Sequence, residues 1–230
     1  DARGLTEGAK AKVLREALRA VNLIREKHNS DIKGRTCANG KKQREMYDKS
    51  EITSPTLSTE GLMLAMMQAS REGRHIASAG VAGADLKTSM PDYVVMRFEG
   101  DMVDIILAAD PSLGVGLIHD KNGKRILLVV LNKALYGCVK SAMLWYNLFV
   151  LTLKDMGFVL NEADLCVANA MIEGKQCTIA WYVDNSMISH NKKSVVEMVI
   201  NKIEAKFGKM TVTHGRKHRF LGMDIFFLRN

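Results

Sequence analysis
A chain of 230 residues, 47% hydrophobic and 25% charged, is composed like an ordinary globular protein with a sizeable core, which excludes a disordered or collagen-like chain. No apolar run approaches the ~18 residues of a membrane span, and no signal-like segment precedes the first periodic stretch. The net charge of +8 is uneven: residues 1–50 hold 13 Lys/Arg against 7 Asp/Glu, residues 51–185 hold 11 against 15, and residues 186–230 hold 9 against 3. Basic flanks around an acidic centre suit a metal in the middle and a polyanion at the edges, and equally suit a solvated surface.

In chain order, apolar residues at Leu14, Leu18, Val21 and Ile24 predict a helix over 8–28. Residues 31–50 are polar and basic and read as strands or loops at a surface. The stretch TSPTLSTE (53–60) predicts a turn into a helix, capped by Ser58 or Thr59. Met63, Met66 and Met67 follow at helical spacing and read as core filler. Residues 76–90 are small and glycine-rich; YVVMRF (93–98) and ILLVVL (126–131) are strand candidates. A helical pattern covers 133–157 and ends at Gly157. Strands alternate through 164–189, an amphipathic helix covers 194–208 with Gly208 as its stop, and two β-rich pieces close the chain. The order predicts α/β or α+β with a mixed or antiparallel sheet.

Two small clusters carry chemistry. In WYVDNSMIS (181–189) an apolar run is interrupted by Asp184-Asn185. Both residue types tolerate the left-handed backbone of a tight hairpin, and a carboxylate at a hairpin tip can also hold a metal ion. His214 and His218 have an H-x₃-H spacing, but no further zinc ligands lie nearby, so the HGRKHRF cluster reads better as a contact for a phosphate backbone. Cys37, Cys138, Cys166 and Cys177 are irregularly spaced, as expected of a reduced intracellular protein, cytoplasmic or nuclear. The chain begins DARG, without Met, as a piece of a longer polypeptide would.

Several motifs resemble the reverse transcriptase of copia-type retrotransposons. KALYGCVKSAMLWY (133–146) is similar to that family's helix signature, and GFVLNEADLCV (157–167) to its G-F…D…C-V segment. WYVDNSMIS resembles its Y-V-D-D catalytic hairpin, and RFLGMDI (219–225) its F-L-G-M-x-I strand. IKGRTCANGKKQR (32–44) and SPTLSTE (54–60) resemble its finger region. The motifs run in the family's order from about residue 31 to 230.

The resemblance implies an α+β right-hand polymerase, with fingers and a palm whose small antiparallel sheet packs on helices. It places an N-terminal helix and the fingers in about 1–75 and mostly palm in about 76–230, without the thumb or the RNase H domain. It implies RNA-directed DNA synthesis on an RNA or DNA template-primer with dNTPs, assisted by Mg²⁺. Such chemistry clamps the attacking and leaving oxygens between two metal ions, and hard Mg²⁺ takes carboxylate oxygens.

Residue by residue, Asp184 matches the first Asp of the hairpin pair and Asn185 stands at the second. Aligning GVAGADL (80–86) with the family's D-V-x-x-A-F-L puts Gly80 at the remaining metal-binding Asp and Asp85 at the Phe beneath the incoming sugar. One carboxylate of three is left, so catalysis is expected to be lost or severely impaired. The alternatives are a non-catalytic nucleic-acid-binding module and a structural remnant of the fold. By the same resemblance Lys33 and Arg35 contact the triphosphate, Gly137 and Ser141 line the nucleotide side, and Leu221 and Gly222 lie in the strand that grips the primer.

Overall fold
The computed structural model describes residues 6–26 and 30–228. The first helix, α1 (Glu7–Glu16), is capped by the Thr6 hydroxyl, which accepts the Ala9 N–H. It is shorter than the periodicity predicts, because the chain turns into strand β1 (Leu18–Glu26) instead. Residues 27 and 28 of the predicted helix lie outside the described residues. Strand pairing overrides the helical stripe: β1 runs antiparallel to β2 (Ile32–Ala38) from Ala20↔Ala38 to Glu26↔Ile32. Of the supposed helical face, Leu18 is buried, whereas Val21 and Ile24 are exposed.

Short helix α2 (Lys49–Ile52) follows, then α3 (Thr59–Arg71), whose N-cap is Ser58. The methionines of α3 are not uniformly core filler. Met66 is buried, but Met63 and Met67 are exposed, because the face that α3 buries runs through Leu62, Met66 and Ala69. The chain continues through β3 (His75–Val81), β4 (Val95–Glu99) and α4 (Asp101–Ala109), then β5 (Leu117–His119) and β6 (Arg125–Val130). Helix α5 (Ser141–Asp155) occupies the second half of the predicted 133–157 helix. The first half is turns, where Gly137 takes φ 94°, a conformation incompatible with a right-handed helix. Strands β7 (Val159–Leu160), β8 (Val167–Ile172), β9 (Lys175–Tyr182) and β10 (Asn185–His190) come next. Helix α6 (Lys193–Phe207) and strands β11 (Met210–His214), β12 (Lys217–Phe220) and β13 (Met223–Phe226) complete the fold.

Two compact units share this chain: unit one comprises 1–52 and 88–141, unit two 53–87 and 142–230. In unit one a five-stranded sheet has the order β2-β1-β4-β6-β5, antiparallel except for the β1–β4 pair. Leu18, Met96, Phe98, Val103 and Leu127 form its main core.

In unit two a wholly antiparallel six-stranded sheet has the order β11-β3-β10-β9-β8-β7, and β12 and β13 form a separate hairpin. Consecutive buried residues, Cys177–Trp181 in β9 and Ser186–His190 in β10, show that the centre of the sheet is covered on both faces. Trp145 and Phe149 of α5 stack, Phe207 of α6 meets Trp145 edge-on, and Phe149 meets Trp181 of β9 edge-on, with centroids 5.4 Å apart. The observed class is α+β, with antiparallel sheets packed on helices.

The geometry at the start of α3 is built by a distant residue. The Asp164 carboxylate accepts both the Ser58 N–H (2.9 Å) and the Ser58 hydroxyl (2.7 Å), while Ser58 caps the Gly61 N–H. Negative charge at a helix N-terminus is favourable. A Cβ on Gly61 would meet Asp164 Oδ2 at 2.2 Å, so glycine leaves the room this cap needs.

Candidate functional site
The antiparallel register of unit two brings four of the sequence-predicted residues together. Gly80 near the end of β3 is the direct cross-strand partner of Asn185 at the start of β10. A Cβ on Gly80 would lie 2.8 Å from Asn185 Oδ1, so the two positions face one another at side-chain distance. Asn185 Nδ2 donates to Asp184 Oδ1 at 3.0 Å. Asp85 lies on the short 3₁₀ turn after β3. Burial, and secondarily the charge of Asp184, push its carboxyl above the ordinary carboxylate range.

The hairpin tip differs from the expected turn. Its two loop residues are Val183 and Asp184, since Asn185 already pairs with Tyr182. The left-handed φ of 54° falls on Val183, and neither Asp184 nor Asn185 has a positive φ. One positive φ, at the first central residue, is the type II′ pattern, which glycine normally fills. A β-branched residue there costs about 1–3 kcal/mol and persists where its surroundings over-determine it. Here Trp145 Nε1 donates to the Val183 carbonyl at 2.7 Å, and the Asp184 carbonyl accepts the Val81 N–H at 2.9 Å. Trp145 is buried, and it also positions the carboxylate-bearing tip. Nothing in its sequence neighbourhood signals a bond spanning 38 residues.

The donor set can be weighed against a pair of divalent ions. Gly80 offers no ligand, Asn185 offers a neutral amide, and Asp184 and Asp85 supply the carboxylates. Among the described residues, no group of three His, Cys, Asp or Glu is placed to hold a metal ion. These residues do not fit a three-carboxylate, two-metal centre.

Other predicted positions belong to unit one. Lys33 and Arg35 are exposed and alternate onto one face of β2. The Arg35 guanidinium lies 5.9 Å from the centre of the Tyr136 ring. The Tyr136 carbonyl accepts the Ala38 N–H at 2.8 Å, which ties the adjoining Gly137 loop to the end of β2. A Cβ on Gly137 would lie 2.1 Å from the Ala38 carbonyl oxygen, so the L-Y-G motif needs glycine for close backbone approach as well as for its positive φ. Ser141 is buried and donates its hydroxyl to the Leu135 carbonyl at 2.8 Å.

Leu221 and Gly222 of unit two occupy a turn rather than a strand. They join β12 to β13 with φ of 50° and 76°, the two-positive pattern of a type I′ turn. The H-x₃-H pair is not a ligand pair. Buried His218 is engaged through both ring nitrogens, with Ser78 Oγ at 3.1 Å and the Gly215 carbonyl at 2.9 Å, whereas exposed His214 approaches Glu197.

A sequence model of the family described as reverse transcriptase (RNA-dependent DNA polymerase) matches residues 21–229. The chain belongs to that family. A retrovirus-related Pol polyprotein from transposon TNT 1-94 of Nicotiana tabacum is 24% identical over 194 residues, covering 84% of this chain and 13% of the polyprotein. The chain therefore spans a small part of that relative's length. Among solved structures, apo telomerase from Candida tropicalis overlaps 92% of this chain and 47% of its own, at 12% identity and a TM-score of 0.47. A foamy viral protease-reverse transcriptase in complex with double-stranded DNA overlaps 91% and 30%, at 13% identity and a TM-score of 0.42. The sequence match and the transposon relative bear out the copia-type reverse transcriptase resemblance. Reverse transcriptases generally use divalent metals.

Proposed function
We propose that this reverse transcriptase domain has lost nucleotidyl transfer and retains the surfaces that hold template-primer. The carrying observation is the pairing of Gly80 with Asn185: the two positions that lack the family's aspartates face each other beside Asp184. In this reading unit one works as the fingers, with Lys33 and Arg35 toward a dNTP triphosphate and Gly137 and Ser141 shaping the nucleotide side. Unit two works as the palm, with Leu221-Gly222 at the primer. Asp184 remains a ligand for one Mg²⁺ at most, and Asp85 replaces the apolar floor of the sugar site with a carboxyl group. The domain works inside the cell, in cytoplasm or nucleus; its four irregularly spaced cysteines are buried, in keeping with a reducing compartment.

Primer extension on an RNA template with Mg²⁺ or Mn²⁺ tests this. The chain is compared with the Gly80→Asp, Asn185→Asp double variant and with Asp184→Ala. Changing both positions together matters, because a side chain at Gly80 displaces the Asn185 amide. Extension by the double variant alone is expected. Extension by the unaltered chain that disappears in Asp184→Ala would overturn the reading. Template-primer affinity that falls steeply with salt supports retained binding, and weak, salt-insensitive binding favours a purely structural remnant.

A further inference from the structure
A sheet ends in edge strands whose outward N–H and C=O groups have no ladder partner, and natural edges are blunted by being short or charged. Of the edges of the two large sheets, β5, β7 and β11 have three, two and five residues, whereas β2 has seven. The register of β2 against β1 runs without a bulge from Ala38 to Ile32. The Ala38 N–H bonds outward to the Tyr136 carbonyl, and the Asn39 N–H bonds inward to the Arg19 carbonyl of β1. By antiparallel alternation, Thr36, Gly34 and Ile32 also turn their backbone groups outward. Among the described residues no other backbone group bonds to that row.

The two faces of this edge differ. Direct cross-strand partners share a face, so Leu23, Arg25, Lys33 and Arg35 lie on one, and Ile24, Glu26, Ile32 and Gly34 on the other. Arg25, Lys33 and Arg35 enter no ion pair among the described residues. On the opposite face Ile24 and Ile32 are 81% and 77% exposed. Nothing inside the chain requires glycine at position 34. Its φ is not positive, the ladder has no bulge there, and an added Cβ would meet nothing within 4 Å. Glycine inside a strand costs stability, and where no turn or bulge needs it, it marks a place that another group approaches closely.

We propose that the open edge of β2 takes an extended acidic peptide as an added strand. Main-chain bonds to Ile32, Gly34 and Thr36 hold it, and carboxylates at alternate positions meet Lys33 and Arg35. Between those carboxylates an aromatic side chain lies over bare Gly34 and reaches Ile24, the residue directly across from it on β1. Glu26 keeps carboxylates off that apolar face. Charge selects this occupant: two copies of β2 set edge to edge would oppose like cations, whereas an acidic strand neutralises them. The added strand would cover the two cations assigned above to the triphosphate, so peptide and dNTP exclude one another, but the pairing does not rest on template-primer binding.

The test titrates an end-capped, fluorescein-labelled peptide of sequence VDYDVDV with the 230-residue chain by anisotropy, without nucleic acid or nucleotide, and compares it with VKYKVKV. Gly34→Pro removes the outward N–H at the middle of the edge and leaves β1 its ladder bonds, as an edge proline does. The chain should bind the acidic peptide and not the basic one, and Gly34→Pro should weaken that binding about tenfold or more. A Lys33→Glu, Arg35→Glu variant should reverse the preference toward the basic peptide, a gain that misfolding cannot produce. No binding of the acidic peptide, equal binding of both, or an affinity and preference that these variants leave unchanged overturns the proposal. Labelled oligouridylate and sedimentation are run in parallel. Without peptide binding, an oligouridylate affinity lowered by Gly34→Pro gives the edge to nucleic acid, and a dimer that Gly34→Pro dissolves gives it to a second copy. Both overturn the proposal, and failure of the peptide assay leaves the template-primer reading standing.

Discussion
At the residue scale, the site is defined by what sits beside Asp184. Asp85 is held above the ordinary carboxylate range first by burial and then by the charge of Asp184. Removing that charge with Asp184→Asn should lower the Asp85 pKa without returning it to normal, because the larger cause remains. Carboxyl carbon NMR titration would show this, and an unchanged Asp85 titration would mean that the two side chains do not interact. A raised folded-state carboxylate pKa opposes folding once pH exceeds the unfolded value, so Asp85→Asn should stabilise unit two near neutral pH. Asp184 and Asn185 were visible in the sequence as an interruption of an apolar run. The backbone strain at Val183 was not, because a valine in a strand-like stretch carries no local sign that it must turn left-handed.

At the scale of elements, the β9–β10 hairpin depends on α5. Trp145→Phe keeps most of the ring packing but deletes the donor to the Val183 carbonyl. The loss should cost about 1–3 kcal/mol in urea unfolding and loosen the hairpin tip, read as faster amide exchange at residues 183–185. Equal exchange in the variant and the parent would show that the turn holds without Trp145. The boundaries of α5 teach a related lesson. Apolar periodicity continues from 133 into the true helix, yet Gly137 packs backbone to backbone against Ala38. That approach joins segments about a hundred residues apart, so the periodic pattern alone reads through it. The 8–28 stretch misleads for the same reason, with the pairing of β1 to β2 replacing a helical face.

For the whole molecule, each unit carries its own core, and their titrating groups can be separated. In unit one, hydrogen bonds from Lys124 and Arg97 hold Glu99 down to about 2, from an ordinary 4.5. A depressed carboxylate stabilises the fold fully above its unfolded pKa, and this contribution is lost as pH falls from about 4.5 toward 2. Unit-one amide protection should therefore drop across that window, and Glu99→Gln should flatten the drop. A pH profile identical in the two proteins would exclude Glu99 as the cause. The uneven charge of the chain belongs to this scale too. The basic C-terminal stretch supplies Lys193, His214 and Arg216 to one cavity, which a count of charges by segment cannot foresee.

The amino-acid sequence by itself determined the family, the α+β class, most strands of unit two and the poverty of carboxylates at the candidate site. Those properties rest on residue identity and short-range periodicity. Tertiary structure alone decided that Gly80 faces Asn185, that Val183 bears the strain of the turn, that Asp164 holds the Ser58 cap of α3 and that basic residues gather near Arg74. Each of these joins residues far apart in the chain, and such partners are chosen by sheet register and backbone approach, which no local pattern of side chains records.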